Sequence, residues 1–312
     1  MFVAVALLIL ILLVLYWTRL STWADVSRQS SVPLLLIAML GLLAYTERSG
    51  EGTAGPGAPV LVALAADVSL SMGTIPEPGT NDDVGTRLER VQQVLLPVLA
   101  NLDAAARPVL VSVTAFTSKS ETILAWDDDL SLAREIIEYV LTTGLLTEAG
   151  SDLGVALNGV LPHFESLPET YRGSGHPKFL IIVSDGEQTT SRASSDAALA
   201  TLRELGVRII ALHVGLSDVP EGLPVYDEND DFLGFEEIGG QIFSVPNPEL
   251  MRLTAGTNPA QGLFVRAESG DAATTITDFV GLQKSGTANT TLRLWAILLL
   301  WVLLLYALLR WF

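Results

Sequence analysis

Three short segments of the chain carry carboxyl and hydroxyl side chains where an apolar run ends or a helical pattern begins. Asp67, Ser69 and Ser71 (DVSLS) directly follow the apolar run 60–66, and Asp185 (SDGE) follows the run FLIIV. The third segment is GSDLG, residues 150–154, which opens an expected helix. Such oxygen donors suit Mg²⁺, Mn²⁺ or Ca²⁺ and suit zinc poorly. The sequence therefore predicts a site for a hard divalent cation.

The spacing within DVSLS and its combination with SDGE carry this prediction. An Asp and two Ser at i, i+2 and i+4 of an extended turn direct alternate side chains toward the same ion. Alone, the motif is also typical of a turn with a helix N-cap, because Asp and Ser are common there. The combination is more specific, because ligand sites in α/β sheets lie in the crevice beyond the carboxyl ends of the strands.

The sequence around these segments alternates apolar runs with helical patterns, which is typical of an α/β sheet with helices on both faces. Continuous apolar runs predict buried parallel strands at 60–66, 109–116, 179–183 and 207–214. Residues 121–126 fit an antiparallel edge strand after a hairpin. Helical periodicity predicts helices at 87–102, 132–140, 153–164 and 196–205. Pro97 predicts a kink or an early end in the first of these helices.

The composition indicates a membrane and excludes several kinds of site. The chain has 312 residues, 49% of them hydrophobic, and a mean hydropathy of +0.44. A net charge of −17 argues against nucleic acid as a partner, since phosphate binding requires a basic face. The absence of cysteine excludes disulfides, thiolate nucleophiles and iron–sulfur sites.

Charge-free apolar runs near both ends predict three transmembrane helices. The expected organisation is transmembrane helices at 1–18, 32–46 and 292–310, a short loop at 19–31, a Gly- and Pro-rich linker at 47–58 and a water-soluble domain at 59–283. A cleaved signal peptide is the alternative for the first run, and a buried core helix is the alternative for the second. Arg19 and Arg28 in the short loop favour a cytoplasmic loop, which places the acidic domain outside the cytoplasm.

The motifs DVSLS, GSDLG and SDGE resemble those of the von Willebrand factor A (VWA) family and its metal-ion-dependent adhesion site, over about residues 59–282. The resemblance implies a Rossmann-like domain with a mostly parallel sheet. It also implies an ion, Mg²⁺ or else Mn²⁺ or Ca²⁺, held by five side chains: Asp67, Ser69, Ser71, Ser151 and Asp185. Ser151 stands where the family usually has Thr, and the hydroxyl is kept. In this family the ion has an open coordination position that accepts a carboxylate from a partner protein.

Two N-terminal helices, a VWA domain and one C-terminal helix resemble the Bat-type (aerotolerance-operon) membrane proteins of bacteria. DVSLSM followed by TRLERV is similar to that group's opening, whereas the loop 73–86 is longer than expected. The resemblance implies a multi-pass protein of the bacterial inner membrane that works with a MoxR-type AAA+ ATPase and with other VWA membrane proteins. Relatives of similar layout accompany methanol dehydrogenase maturation, so an accessory role for a metalloenzyme is an alternative.

Further acidic residues are expected on a rim around the ion, where a partner would make contact. These residues are Glu77, Asp82, Asp83, Asp152 and Glu187. For Glu77, Asp82 and Asp83, which lie in the long loop 73–86, the alternative is that their charges only keep the loop solvated. We expect a helix N-cap at 127–129, a hairpin turn at 226–231 and a packed core histidine at His213.

Three functions remain open from the sequence. The preferred one is a metal-gated protein-interaction module without enzymatic activity. The second is a metal-dependent hydrolase using Asp67 or Asp185, against which the sequence shows neither an activated nucleophile nor a Gly-rich phosphate loop. The third is a metal-free structural scaffold.

Overall fold

The computed structural model describes residues 58–78, 85–105, 107–172, 175–188, 192–216, 218–258 and 260–281. The three predicted transmembrane helices, the loop at 19–31, the linker up to residue 57 and the rim residues Asp82 and Asp83 lie outside the described residues. Within the described part of the chain, no helix is long and apolar enough to cross a bilayer.

A six-stranded sheet forms the centre of the domain, and two smaller sheets lie beside it. The strands are β1 (Val60–Asp67), β2 (Ile75–Pro76), β3 (Val109–Phe116), β4 (Ser120–Asp127), β5 (Lys178–Ser184), β6 (Val207–His213), β7 (Glu221–Gly222), β8 (Pro224–Tyr226), β9 (Phe232–Phe235), β10 (Phe243–Ser244) and β11 (Gly262–Arg266). The central order is β11-β6-β5-β1-β3-β4, parallel except for β4, which pairs antiparallel with β3 at one edge. The other sheets are β10-β7-β2 and the hairpin β8-β9.

The helices connect and cover the central strands. They are α1 (Arg87–Asp103), α2 (Leu130–Glu135), α3 (Leu153–Glu165), α4 (Glu169–Arg172), α5 (Arg192–Glu204), α6 (Pro248–Ala255) and α7 (Ala272–Val280). A 3₁₀ turn, Leu70–Gly73, follows β1, and a π turn, Ile136–Val140, extends α2.

Side chains on the two faces of β1 enter two separate cores. Val60, Val62 and Leu64 pack in the core that α1, α2 and α7 cover. Leu61, Ala63 and Ala65 pack in the core that α3, α5 and α6 cover. Every residue of β1 is buried, as expected for a parallel strand that is covered on both faces. The predicted α/β fold with a mostly parallel sheet is therefore confirmed.

Of the two effects predicted for Pro97, a kink or an early end, the early end does not occur, because α1 continues to Asp103. A proline inside a helix costs about 3 kcal/mol, through a lost hydrogen bond and a clash with the preceding turn. Buried side chains on both sides of Pro97 offset this cost, among them Leu95, Val98 and Leu102. The first turn is also stabilised by a capping box between Thr86 and Glu89.

Candidate metal centre

The carboxyl ends of β1 and β5 and the start of α3 meet at one edge of the central sheet. β1 and β5 are neighbours in parallel register, with Ala66 opposite Val183. Asp67 ends β1, and Asp185 directly follows β5. A hydrogen bond from the Ser151 hydroxyl to Asp67 Oδ2, 2.6 Å long, links the start of α3 to β1. We call this place the metal edge.

Asp67 is fully buried, and its described hydrogen-bond partners are all uncharged. Its Oδ1 accepts from the backbone N–H of Ser69 at 3.0 Å. Its Oδ2 accepts from the hydroxyls of Ser151 at 2.6 Å and Ser184 at 2.8 Å. These bonds orient the carboxylate but leave its negative charge uncompensated.

The hydroxyls of Ser69 and Ser71 lie 3.0 Å apart in the turn that follows β1. Ser69 and Ser151 are buried, whereas Ser71 is half-buried. The structure thus gathers at the metal edge the five residues predicted as ligands, together with Ser184, which the sequence reasoning missed. Ser184 directly precedes Asp185 in the SDGE motif, and its hydroxyl donates to Asp67 Oδ2.

Burial is the main cause of a raised pKa at Asp67. Burial disfavours the charged form and the nearby Asp185 carboxylate disfavours it further, which raises the pKa of Asp67 to about 6 despite the hydrogen bonds from Ser151 and Ser69. The buried carboxylates of Asp67 and Asp185 and the hydroxyls of Ser69, Ser71 and Ser151 are hard oxygen donors. A divalent cation bound by them would stabilise the charged form of the two carboxylates. The residues present therefore fit such an ion.

Asp185 has a charged partner that the sequence reasoning did not anticipate. Arg87 Nη1 donates to Asp185 Oδ2 at 2.7 Å, and both side chains are fully buried. Arg87 Nε donates to Glu221 Oε2 at 2.6 Å, and Glu221 is also fully buried. Arg90 contacts the second oxygen of Glu221 and pairs with Glu268 at 3.1 Å. A chain of alternating charges thus runs from Asp185 at the metal edge through Arg87, Glu221 and Arg90 to Glu268.

A signal for this network was present at the start of α1. Arg87 and Arg90 lie in the first turn of the helix, where the helix dipole disfavours positive charge. Buried arginines at such a position require carboxylate partners. Arg87 also reaches the carbonyl oxygen of Ser71 at 3.4 Å and so contacts the turn that carries two of the predicted ligands.

The predicted rim residues occupy different environments. Glu77 is exposed, and Glu187 is half-buried with a pKa raised mainly by burial. Glu187 accepts from the Ser244 hydroxyl and the Val245 N–H, both at 2.5 Å. Asp152 is buried, and its carboxylate caps α3 by accepting from Gly154 N and Val155 N.

Other acidic residues and the buried histidine have structural roles, as predicted. Asp129 caps α2 by accepting from two backbone N–H groups. Asp227 accepts from backbone N–H groups of the β8–β9 turn, in which Asp230 has a φ of +64°. His213 is fully buried, and desolvation lowers its pKa to about 4. Over the described ranges, no group of three or more His, Asp or Glu could hold a metal, so an ion at the metal edge would require the hydroxyls.

Two solved bacterial structures share this fold. BatB from Bacteroides thetaiotaomicron is 23% identical, with a TM-score of 0.55 over 72% of this chain and 100% of that one. An aerotolerance-related membrane protein from Bacteroides fragilis NCTC 9343 is 22% identical, with a TM-score of 0.56 over 71% of this chain and 98% of that one. At these identities the likeness shows a shared fold.

In sequence, no curated protein matches the chain. A family model does match, that of the von Willebrand factor type A domain, over residues 62–252. This match includes all five predicted ligands and covers more than half of the chain. The chain belongs to the von Willebrand factor type A domain family, whose domains are protein-interaction modules.

Proposed function

We propose that this chain is a membrane-anchored interaction module that binds a divalent cation at the metal edge and docks an acidic residue of a partner protein there. The ion, Mg²⁺ or else Mn²⁺ or Ca²⁺, would be held by Asp67, Ser69, Ser71, Ser151 and Asp185. No enzymatic step is part of this proposal.

The observation that supports it most is the state of Asp67. Its carboxylate is fully buried beside a second buried carboxylate, and hydroxyl and backbone N–H groups are its described partners. An uncompensated buried charge is costly, and a cation removes that cost. In a purely structural site, Asn at this buried position could make hydrogen bonds without the desolvation cost of a charge, so a buried Asp supports the proposal that a cation binds here.

The number of donors explains why a partner would contribute a carboxylate. Mg²⁺ prefers about six oxygen ligands in octahedral geometry. Even with one direct bond from each of the five side chains, one position would remain for water or for a partner oxygen. A partner carboxylate at this sixth position would bind more strongly than water, because its negative charge also neutralises the positive charge of the ion.

Calorimetric titration of Mg²⁺ and Mn²⁺ into the purified full chain tests the proposal. We expect one binding event that Asp67→Asn abolishes while the circular dichroism spectrum is unchanged. Asp129→Asn is the matched control, because it makes the same change at an N-cap away from the metal edge, where Asn also caps well. Binding that survives in Asp67→Asn would contradict the proposal.

The cellular setting rests on the sequence resemblance to Bat-type proteins. We propose that the chain resides in the bacterial inner membrane, with its VWA domain on the extracytoplasmic side, and serves assembly or maturation of other proteins with a MoxR-type AAA+ ATPase. Maturation of a metalloenzyme is one such task. Co-purification from membranes, with and without a chelator, tests this: a partner retained only without chelator is expected.

The ion pair between Arg87 and Asp185 favours one competing function, a metal-free scaffold. Arg87 supplies a permanent positive charge to Asp185, so that half of the buried acidic pair is compensated without any ion. A scaffold of this kind would show no binding in the titration above and would retain its partners in chelator.

A further inference from the structure

Residues 221–245, which we call the arm, leave the central sheet after β6 and return to it before α6. β7 and β10 of the arm pair with each other, and β7 also pairs with β2, so both ends of the arm are fixed to the domain body. β8 and β9 project from this base as a hairpin. Ser244, in β10, contacts both Arg87 and Glu187, so the base of the arm lies next to the metal edge.

The arm exposes an unusual amount of apolar side chain. Exposure ranges from 38% at Val225 to 72% at Val245. The large apolar residues exposed on the arm are Val225, Tyr226, Leu233, Ile238, Ile242, Phe243 and Val245. Scattered single residues of this kind are normal, but seven within 25 consecutive positions are typical of a binding surface.

A row of aromatic rings gives this surface a fixed shape. Tyr226 packs edge-to-face on Phe232 with ring centroids 6.0 Å apart, Phe232 on Phe235 at 5.1 Å, and Phe235 on Phe243 at 5.7 Å. The two end rings are exposed, and the two central rings are half-buried. Edge-to-face pairs at these separations are favourable, so the rings are pre-positioned for a ligand.

The charge of the arm is entirely of one sign. Residues 209–251 contain no Lys or Arg, whereas the arm alone contains seven Asp and Glu. Glu221 is compensated by Arg87 and Arg90. Five of the others are exposed, namely Glu228, Asp230, Asp231, Glu236 and Glu237. The arm thus carries, together with its aromatic row, five exposed carboxylates that no basic residue of the arm neutralises.

We propose that the arm is a second docking surface, which binds a segment of a partner protein carrying Lys or Arg among apolar side chains. Such a segment matches both properties of the arm, because its cations face the carboxylates and the aromatic faces while its apolar groups cover the exposed residues. A second copy of the arm would bring like charges together, and anionic lipid would be repelled. Binding here requires no metal, so it is independent of the proposed function.

The charge requirement is tested with a synthetic peptide of Lys and Leu in equal number and a matched peptide with Glu for Lys. The affinity of each fluorescently labelled peptide for the purified full chain is measured by fluorescence anisotropy in buffer containing EDTA. The triple variant Glu228→Gln, Glu236→Gln, Glu237→Gln is expected to weaken binding of the Lys peptide about tenfold. The control, Glu121→Gln, Glu135→Gln, Glu165→Gln, removes the same charge from other exposed positions and should change affinity less than about twofold.

The apolar requirement needs a second pair of variants. Leu233→Ser with Val245→Ser is expected to weaken the same peptide about tenfold, whereas Leu132→Ser with Tyr139→Ser, exposed positions of the α2 region, should have little effect. Equal weakening by arm and control variants, or equal affinity for the Glu peptide, would overturn the proposal. Sedimentation showing a dimer that the arm variants dissociate would also overturn it, in favour of a second copy as the occupant.

Discussion

Replacing Arg87 by Met should destabilise the domain strongly, because it leaves two buried carboxylates with less positive charge. Arg87 is fully buried and bonds Asp185 at 2.7 Å and Glu221 at 2.6 Å. Glu221 would keep Arg90, but the Asp185 carboxylate would keep only the backbone N–H of Glu187, at 2.9 Å, among its described hydrogen bonds. Met preserves much of the apolar stem of the side chain, so the loss is mainly one of charge and hydrogen bonds.

The expected size of the loss follows from this geometry. Removing one partner of a buried ion pair costs about 3–5 kcal/mol, because the remaining charge is left uncompensated. That is a large share of the roughly 5–15 kcal/mol by which domains are stable. Removing the orphaned charge as well, in Arg87→Met with Asp185→Asn, should restore at least about 1 kcal/mol.

Urea denaturation of the full chain, followed by circular dichroism in metal-free buffer, measures these differences. Arg252→Met is the control, because the pair of Arg252 with Glu249 is exposed and worth at most about 1 kcal/mol. A loss at Arg87→Met no larger than that of the control would refute the reasoning. So would a double variant less stable than Arg87→Met alone.

Three further predictions concern the metal edge and the elements that position it. In metal-free buffer the contribution of Asp67 to the unfolding free energy should rise by up to about 3 kcal/mol as pH falls from 7 to 4, since folded Asp67 takes up a proton near pH 6 and the unfolded form near 3.8; the difference between the pH profiles of the wild type and Asp67→Asn measures it. Asp152→Ala should cost about 1 kcal/mol in urea denaturation by removing the cap of α3, and no change would contradict the capping role. Gly186→Ala should lower the unfolding free energy by more than about 2 kcal/mol, because Gly186 has a φ of +76° and an added Cβ would lie 2.2 Å from the carbonyl oxygen of Asn247. Gly144→Ala is the control, since Gly144 has a φ of +79° but open space around it, and should cost about 1 kcal/mol in urea denaturation.

The central strands could be predicted from the sequence because each is a continuous apolar run. A parallel strand covered on both faces needs apolar residues at nearly every position, so β1, β3, β5 and β6 stand out without any knowledge of their partners. By contrast, β11 and α7 have no clear local signal. α7 contains three Thr, which are weak helix formers, and it is stabilised by burial of Ile276 and Val280 against the sheet.

Asp67, Ser69, Ser71 and Asp185 could be predicted for a related reason, since they follow the ends of strands. Their placement requires only that β1 and β5 be neighbours, whereas Ser151 reaches the metal edge from the start of α3. The partnership of Arg87 could not be found this way, because Asp185 is 98 residues away and Glu221 is 134 residues away. The arginines in the first turn of α1 indicate that acidic partners are needed, but no local pattern in the sequence specifies which carboxylates lie against them.

The central position of β1 has a consequence for synthesis of the chain. β3 and β5 flank β1, yet β5 ends at Ser184, more than a hundred residues after Asp67. At ribosomal rates of about 5–20 residues per second, one edge of β1 has no partner strand for roughly 6 to 23 s after Asp67 is made. An apolar strand edge is prone to wrong pairing during that time. Until β5 is made, only the strands and helices synthesised before it, among them β3 and α1, are available to cover β1.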